Sequence, residues 1–122
     1  MAITRVSKID DRVAVRNVLL SVSDKSGLDF LVPELLNLDA SVRLFSTGGT
    51  FEHISSLPGI DSNRIAQVAE YTGQPEMSGG LVKTLDFKIY LGLLSETYNT
   101  AHAQDLERTN AVPIDMVVGN LY

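Results

Sequence analysis

Twice in its first fifty residues the chain passes from a short apolar run, through a polar turn containing glycine, into an apolar pattern with helical spacing. Residues 17–22 (NVLLSV) lead into Ser23-Asp24-Lys25-Ser26-Gly27, after which Leu28, Leu31, Val32, Leu35 and Leu36 recur as on one face of a helix. Residues 41–45 (SVRLF) lead into Ser46-Thr47-Gly48-Gly49-Thr50, and Phe51, Ile54 and Leu57 then outline a short helix stopped by Pro58-Gly59. A strand that hands over to a helix each time returns through a crossover, not a hairpin, so its neighbours run parallel. The pattern predicts an α/β fold, a mainly parallel sheet flanked by helices on both faces. Pro33 falls inside the first helical pattern, where it removes a donor and crowds the preceding turn, and predicts a kink or a late helix start.

Further along, residues 64–69 read as a short third strand, and residues 70–80, rich in glycine and polar side chains, as a functional loop. Residues 89–94 (IYLGLL) read as another strand, and residues 100–109 as a polar helix with Ala101, Ala103 and Leu106 inward. Residues 114–118 (IDMVV) read as the last buried strand. At 122 residues the chain suits one domain, expected over residues 17–122, with residues 1–16 as a leader that adds an edge strand through Val13 to Val15.

Composition narrows the function. Hydrophobic residues at 44% and charged residues at 20% give a globular balance, with no apolar run long enough to span a bilayer and no secretory signal, so a cytoplasmic protein is expected. Arg5, Lys8, Arg12 and Arg16 outweigh Asp10 and Asp11 in the leader, which leaves the remainder more acidic than the overall charge of −5. A body of that sign repels polyanions, which excludes extended nucleic acid contact but not one small anion. The absence of cysteine excludes thiolate zinc sites, and with His53 and His102 far apart no metal is expected.

The sharpest local signal is Ser46 to Thr50 (STGGT): two glycines admit a ligand close to the backbone, hydroxyls flank them, and a helix N-terminus follows. A tight turn with a capping hydroxyl has the same composition. The companion turn adds Ser23, Asp24 and Lys25, the last able to neutralise an anion. Lys83, after the Gly79-Gly80 pair, could donate a proton or support a developing oxyanion, and Asn120 and Tyr122 follow the last strand. In a parallel sheet all these turns lie beyond the carboxyl ends of the strands, where ligands bind.

Taken in order, VSDKSG, STGGT, EYTGQPEMSGGLVKTL and PIDMVVGNLY resemble the N-terminal part of IMP cyclohydrolase, the first domain of the bifunctional purine enzyme. The resemblance covers residues 17–122. It implies a methylglyoxal-synthase-like fold and closure of the formylated aminoimidazole carboxamide ribotide to IMP, with no metal or organic cofactor. It further implies that Ser23, Asp24, Lys25, Thr47, Gly48, Gly49 and Thr50 grip the nucleotide, chiefly its phosphate. Val82 and Thr84 would contact it near the reacting ring. Lys83 and Tyr122 are the implied catalytic groups, with Asn120 in support, and the implied partner is a purine nucleotide monophosphate.

Four positions depart from the family pattern. Leu81 stands where the family has arginine, Asp86 and Tyr90 where it has histidine, and Phe87 where it has proline. A lost cation and a gained acid next to an anion site predict weaker binding. The family domain also continues past NLYPF to an acidic residue that contacts the nucleotide and a lysine used in proton transfer. Expectation therefore divides between an active cyclohydrolase and a binding module that keeps the phosphate grip, either as a homodimer or with a second chain completing the site.

Overall fold

The computed structural model describes residues 8–73 and 86–120. Four strands form one parallel sheet in the order β3-β2-β1-β4, with β1 at Asn17–Ser21, β2 at Arg43–Ser46, β3 at Ile65–Gln67 and β4 at Met116–Gly119. Strand β1 pairs on both sides, Leu20 opposite Ser46 on one and Val118 on the other. The register brings the carboxyl ends of β1, β2 and β4 to one level, and this edge carries the turns singled out in the sequence.

Helix α1 (Leu28–Leu38) connects β1 to β2, and α2 (Gly48–Ser55) leads from β2 toward β3. The path then turns back across the sheet through α3 (Val68–Thr72), α4 (Phe87–Leu94) and α5 (Thr100–Arg108) before β4. Parallel crossovers are right-handed, so reversing direction in the sheet changes the face that the helices cover. Two cores result. Val18, Leu20 and Leu44 pack with Leu28, Val32, Leu35 and Ile54 on the α1 and α2 side. Leu19 and Phe45 point the other way and meet Val68 and Ile89. Strand alternation thus serves both faces, and β1 reads as an unbroken apolar run because Val18, Leu19 and Leu20 are all buried.

Helix α1 starts at Gly27, whose φ of 87° lies in the left-handed region that favours glycine, and its carbonyl accepts from Leu31 N–H at 2.9 Å. Pro33 neither delays nor ends the helix, which runs from Leu28 to Leu38. A proline within the second turn removes one internal hydrogen bond while Val32 and Leu35 still bury on the core face.

Further expectations are corrected. The strand read over residues 64–69 ends at Gln67, because Val68 and Ala69 open α3. The run 114–118 is not a buried strand: β4 has a neighbour on one side in the described sheet, buries no residue and leaves Val117 exposed. Residues 89–94 are helical, not extended: Asp86 caps α4 through Oδ1 to Lys88 N–H at 2.8 Å, and Ile89 and Gly92, three apart, are the residues that bury. A short apolar run has no period of its own, and here the cap decides. Residues 13–15 form no strand. They lead straight into β1, and the Asp115 carboxylate takes the Arg16 and Asn17 N–H groups at 2.9 Å each. Helix α5 buries no residue, leaving Ala101 and Ala103 exposed and Leu106 half-buried.

Gly92 is where α4 touches the approach to β4. A Cβ there would lie 2.5 Å from the Val112 carbonyl oxygen and 3.1 Å from Ile114 Cγ1, and Gly92 O accepts from Ile114 N–H at 2.9 Å. Backbone on backbone cannot yield as a flexible side chain does. Gly92→Ala is expected to lower stability by about 1–3 kcal/mol, visible as a thermal midpoint several degrees lower with an unchanged circular dichroism spectrum at 20 °C as the starting point.

Candidate functional site

The turns after β1 and β2 and the end of β4 enclose a predominantly polar cavity of about 320 Å³, lined by Ser21, Val22, Ser23, Lys25, Thr47, Gly49, Thr50 and Asn120. A larger cavity, about 580 Å³, lies at the other end of the sheet between the leader and the α4–α5 connection. Three of its polar side chains are engaged within the protein: Tyr98 Oη donates to Asp10 at 2.8 Å, and Asp115 holds the entry to β1. The smaller cavity is the one that gathers the sequence motifs.

Buried side chains lock the two turns together. Thr50 is 2% exposed, and its Oγ1 accepts from Val22 N–H and donates to Val22 O, each at 3.1 Å. Thr47, also 2% exposed, places Oγ1 at 3.0 Å from Ser21 Oγ, and its N–H donates to Leu20 O at 3.4 Å. Thr47 stands at the N-cap of α2, yet no side chain caps that helix. Its hydroxyl joins β1 instead. Ser46 is fully buried and does not line the cavity.

Lys25 reaches across from the first turn. Its ammonium donates to the carbonyls of Val22 and, at 3.4 Å, Ser23, and lies 3.9 Å from where a Cβ on Gly49 would stand. A cation is thereby held against the positive end of the α2 dipole. Two positive ends facing each other repel, and an anion between them relieves the repulsion. The arrangement is preorganised for one small anionic group.

Asp24 is directed at its own loop. Oδ1 accepts from Ser26 Oγ at 2.7 Å and Ser26 N–H at 2.9 Å, an Asx turn. These two bonds, the hydroxyl first, and more weakly the Lys25 ammonium hold the carboxyl below its ordinary 3.8. A depressed folded-state pKa means a contribution to stability that is present above pH 3.8 and lost as pH falls through the lowered midpoint. Asn120, after β4, engages Ser23 and Asp24.

The structure therefore brings Ser23, Lys25, Thr47, Gly49, Thr50 and Asn120 to one cavity, with Gly48 and Asp24 in the same turns. Val82, Lys83, Thr84 and Tyr122, like Leu81, lie outside the described residues. Asp86 is occupied in capping α4, and Phe87 and Tyr90 are exposed on that helix. Neither histidine lines the cavity. His53 Nε2 meets Asp29 Oδ1 at 2.9 Å between α2 and α1, and His102 Nδ1 accepts from Glu96 N–H at 2.9 Å. Among the described residues no three metal-ligating side chains cluster, and no helix is long and apolar enough to cross a membrane.

Sequence reasoning missed Ser21 as a partner for Thr47, and Val22, whose backbone holds Thr50. Arg64 also went unnoticed; its guanidinium donates to Leu36 O, Asp39 O and Val42 O, tying the end of α1 to the start of β2. A half-buried arginine beside an apolar strand was the available signal.

Fold and turn arrangement together define a methylglyoxal-synthase-like α/β domain. Among solved structures, one described as the crystal structure of ForH superposes with a TM-score of 0.69 at 26% identity, covering 89% of this chain and 54% of that one. No family model matches the chain. It is 46% identical over 104 residues to the bifunctional purine biosynthesis protein PurH of Prochlorococcus marinus (strain NATL2A), which takes in 85% of this chain and 19% of the relative. PurH proteins of Rhodopirellula baltica and Cutibacterium acnes are 43% and 40% identical, each over 114 residues and 93% of this chain. Over this stretch the chain is a homologue of PurH, and it spans about a fifth of the length of these relatives.

Two outcomes follow from the geometry. Thr50→Val keeps the shape but leaves the buried Val22 N–H without its partner while Val22 O keeps only Lys25, and is expected to destabilise by about 1–3 kcal/mol in urea unfolding. Ser26→Ala removes the stronger of the two bonds to Asp24, so the Asp24 midpoint, followed by carboxyl NMR shifts, should move back up toward 3.8.

Proposed function

We propose that this chain serves purine biosynthesis as an IMP cyclohydrolase domain, gripping the phosphate of the formylated aminoimidazole carboxamide ribotide and closing its second ring. Residues 17–122 form that domain, behind a basic leader. The observation that carries the reading is the Lys25 ammonium held beside Gly49 at the start of α2. A phosphate monoester there would meet a cation and the backbone N–H groups of a helix N-terminus, beside the turn that carries Ser23. Homology to a purine biosynthesis protein favours a purine nucleotide as the molecule that bears it.

Ring closure needs no redox partner or cofactor. The carboxamide nitrogen attacks the formyl carbon, a C–N bond forms, and the former carbonyl oxygen takes up a proton to become a hydroxyl. The attacking nitrogen gives up one proton to leave a neutral carbinolamine. The hydroxyl then takes up a proton and departs as water with the electrons of the C–O bond, while the former formamide nitrogen loses its proton and a C=N bond forms in the new ring. Orientation and proton movement are the demands on the protein. Lys83 is assigned to proton donation and charge support at the carbonyl oxygen, Tyr122 to the same proton path, and Val82 and Thr84 to holding the substrate around it, with Asn120 in support behind the first turn. Asp24 shapes the phosphate turn. The domain is expected to work in the cytoplasm, as a homodimer or with a second chain completing the site.

The purified chain, incubated with the formylated ribotide, should produce IMP faster than buffer does, as read by absorbance. Lys25→Ala should raise the Kd for IMP by about tenfold or more, consistent with loss of a charge-assisted hydrogen bond. Calorimetric IMP binding without turnover would identify a binding module that retained the phosphate grip. Absence of both would end the nucleotide reading.

A further inference from the structure

Asn120 lies one residue beyond β4, and its carboxamide is turned toward the loop after β1. Oδ1 accepts from Ser23 N–H at 2.9 Å and Ser23 Oγ at 2.8 Å, with Asp24 N–H at 3.5 Å. Nδ2 donates to Asp24 O at 2.9 Å. The orientation of the amide follows from its neighbours, because a backbone N–H needs an acceptor and a carbonyl needs a donor. Both lone pairs of Oδ1 and one of two Nδ2 hydrogens are thereby engaged. Little of this side chain is left for a ligand.

What the amide holds is the base of Lys25. The lysine follows Ser23 and Asp24 directly, and its ammonium is anchored on the carbonyls of Val22 and Ser23 while it lies over Gly49. The peptide planes that set the position of the ammonium are those that Asn120 clips to the end of β4. From the other side the same loop is fixed by Thr50 on Val22. The fastening at Asn120 is exposed and holds Ser23 and Asp24, the two residues directly before Lys25, whereas the one at Thr50 is buried and holds Val22.

We infer that Asn120 is a positioning residue: it holds the Ser23–Asp24 peptides so that Lys25 stays over the start of α2, and it acts on a bound phosphate monoester through that lysine. The inference rests on the nucleotide reading above. It gives Asn120 a role distinct from contact with the base or sugar, since its effect belongs to the phosphate end of the ligand.

The test uses the whole chain. In Asn120→Ala, amide hydrogen exchange at Ser23 and Asp24 should quicken by about tenfold or more, with slow-exchanging core amides unchanged. The Kd for IMP should rise by about tenfold, while that for inosine, which lacks the phosphate, stays the same. Asn120→Asp keeps the acceptor for Ser23 N–H and should restore slow exchange there. In Lys25→Ala, adding Asn120→Ala should weaken IMP binding little further, because the two act in one path. Unchanged exchange at Ser23 in Asn120→Ala overturns the latch. Faster exchange with unaltered IMP affinity, equal losses for IMP and inosine, or losses that multiply in the double variant overturn the positioning role. A wild-type chain that does not bind IMP defeats the nucleotide reading and the positioning role with it, and is told apart because exchange is read without ligand.

Discussion

Parallel pairing of β1 on both of its sides is the constraint from which the rest of the architecture follows. Parallel neighbours must be reached by crossovers, so every strand delivers its turn to the same edge of the sheet. Since Leu20 is level with Ser46 on one side and Val118 on the other, the turns after β1, β2 and β4 emerge side by side. Residues almost a hundred positions apart in sequence thereby share a cavity, as Ser23 and Asn120 do. The apolar faces of β1 and β2 hold this level by packing into separate cores above and below.

At that edge the polar groups divide into two kinds. Thr50, Thr47, Asp24 and Asn120 turn their side chains to the protein, joining strand to turn and turn to turn. Lys25 and Gly49 face one another across the space that remains. Fixed hydrogen bonds on one side and the Lys25 ammonium, seated on the Val22 and Ser23 carbonyls, on the other leave a cradle whose groups would not need to reorganise for an anion. The hydroxyls contribute by rigidity, the ammonium and helix end by field.

How legible was this in the amino-acid sequence? The β1, β2 and β4 runs and the helices after the first two strands stood out because each combined an apolar run with a glycine-bearing turn, although β1 and β2 bury and β4, with Val117 exposed, does not. Residues 89–94 misled because six mostly apolar residues have no period, and the deciding group, Asp86 as a cap, lay outside the run. The leader misled because valines at alternate positions suit a strand, while the need of Arg16 and Asn17 for an acceptor from Asp115 is a long-range fact. For the site, the turns were visible, but the partner of each polar group was not. Threonine in STGGT reads equally as a ligand contact or a cap, and only the position of Val22 shows where Thr50 points. Resemblance to a family named the residues, and geometry sorted what each of them touches.

The clip between Asn120 and the first turn also bears on how such a chain folds. Ser23 and Asn120 are 97 residues apart, so the bond joining them closes a long loop. Contacts of that separation form late, after the local helices and the early strand pair have reduced the entropy of bringing distant segments together. A partly folded chain can thus carry β1, α1, β2 and α2 in place and still have a loose first turn. Whatever anion the cradle accepts would select molecules in which the last strand has docked, so ligand affinity would act as a check on the completion of folding.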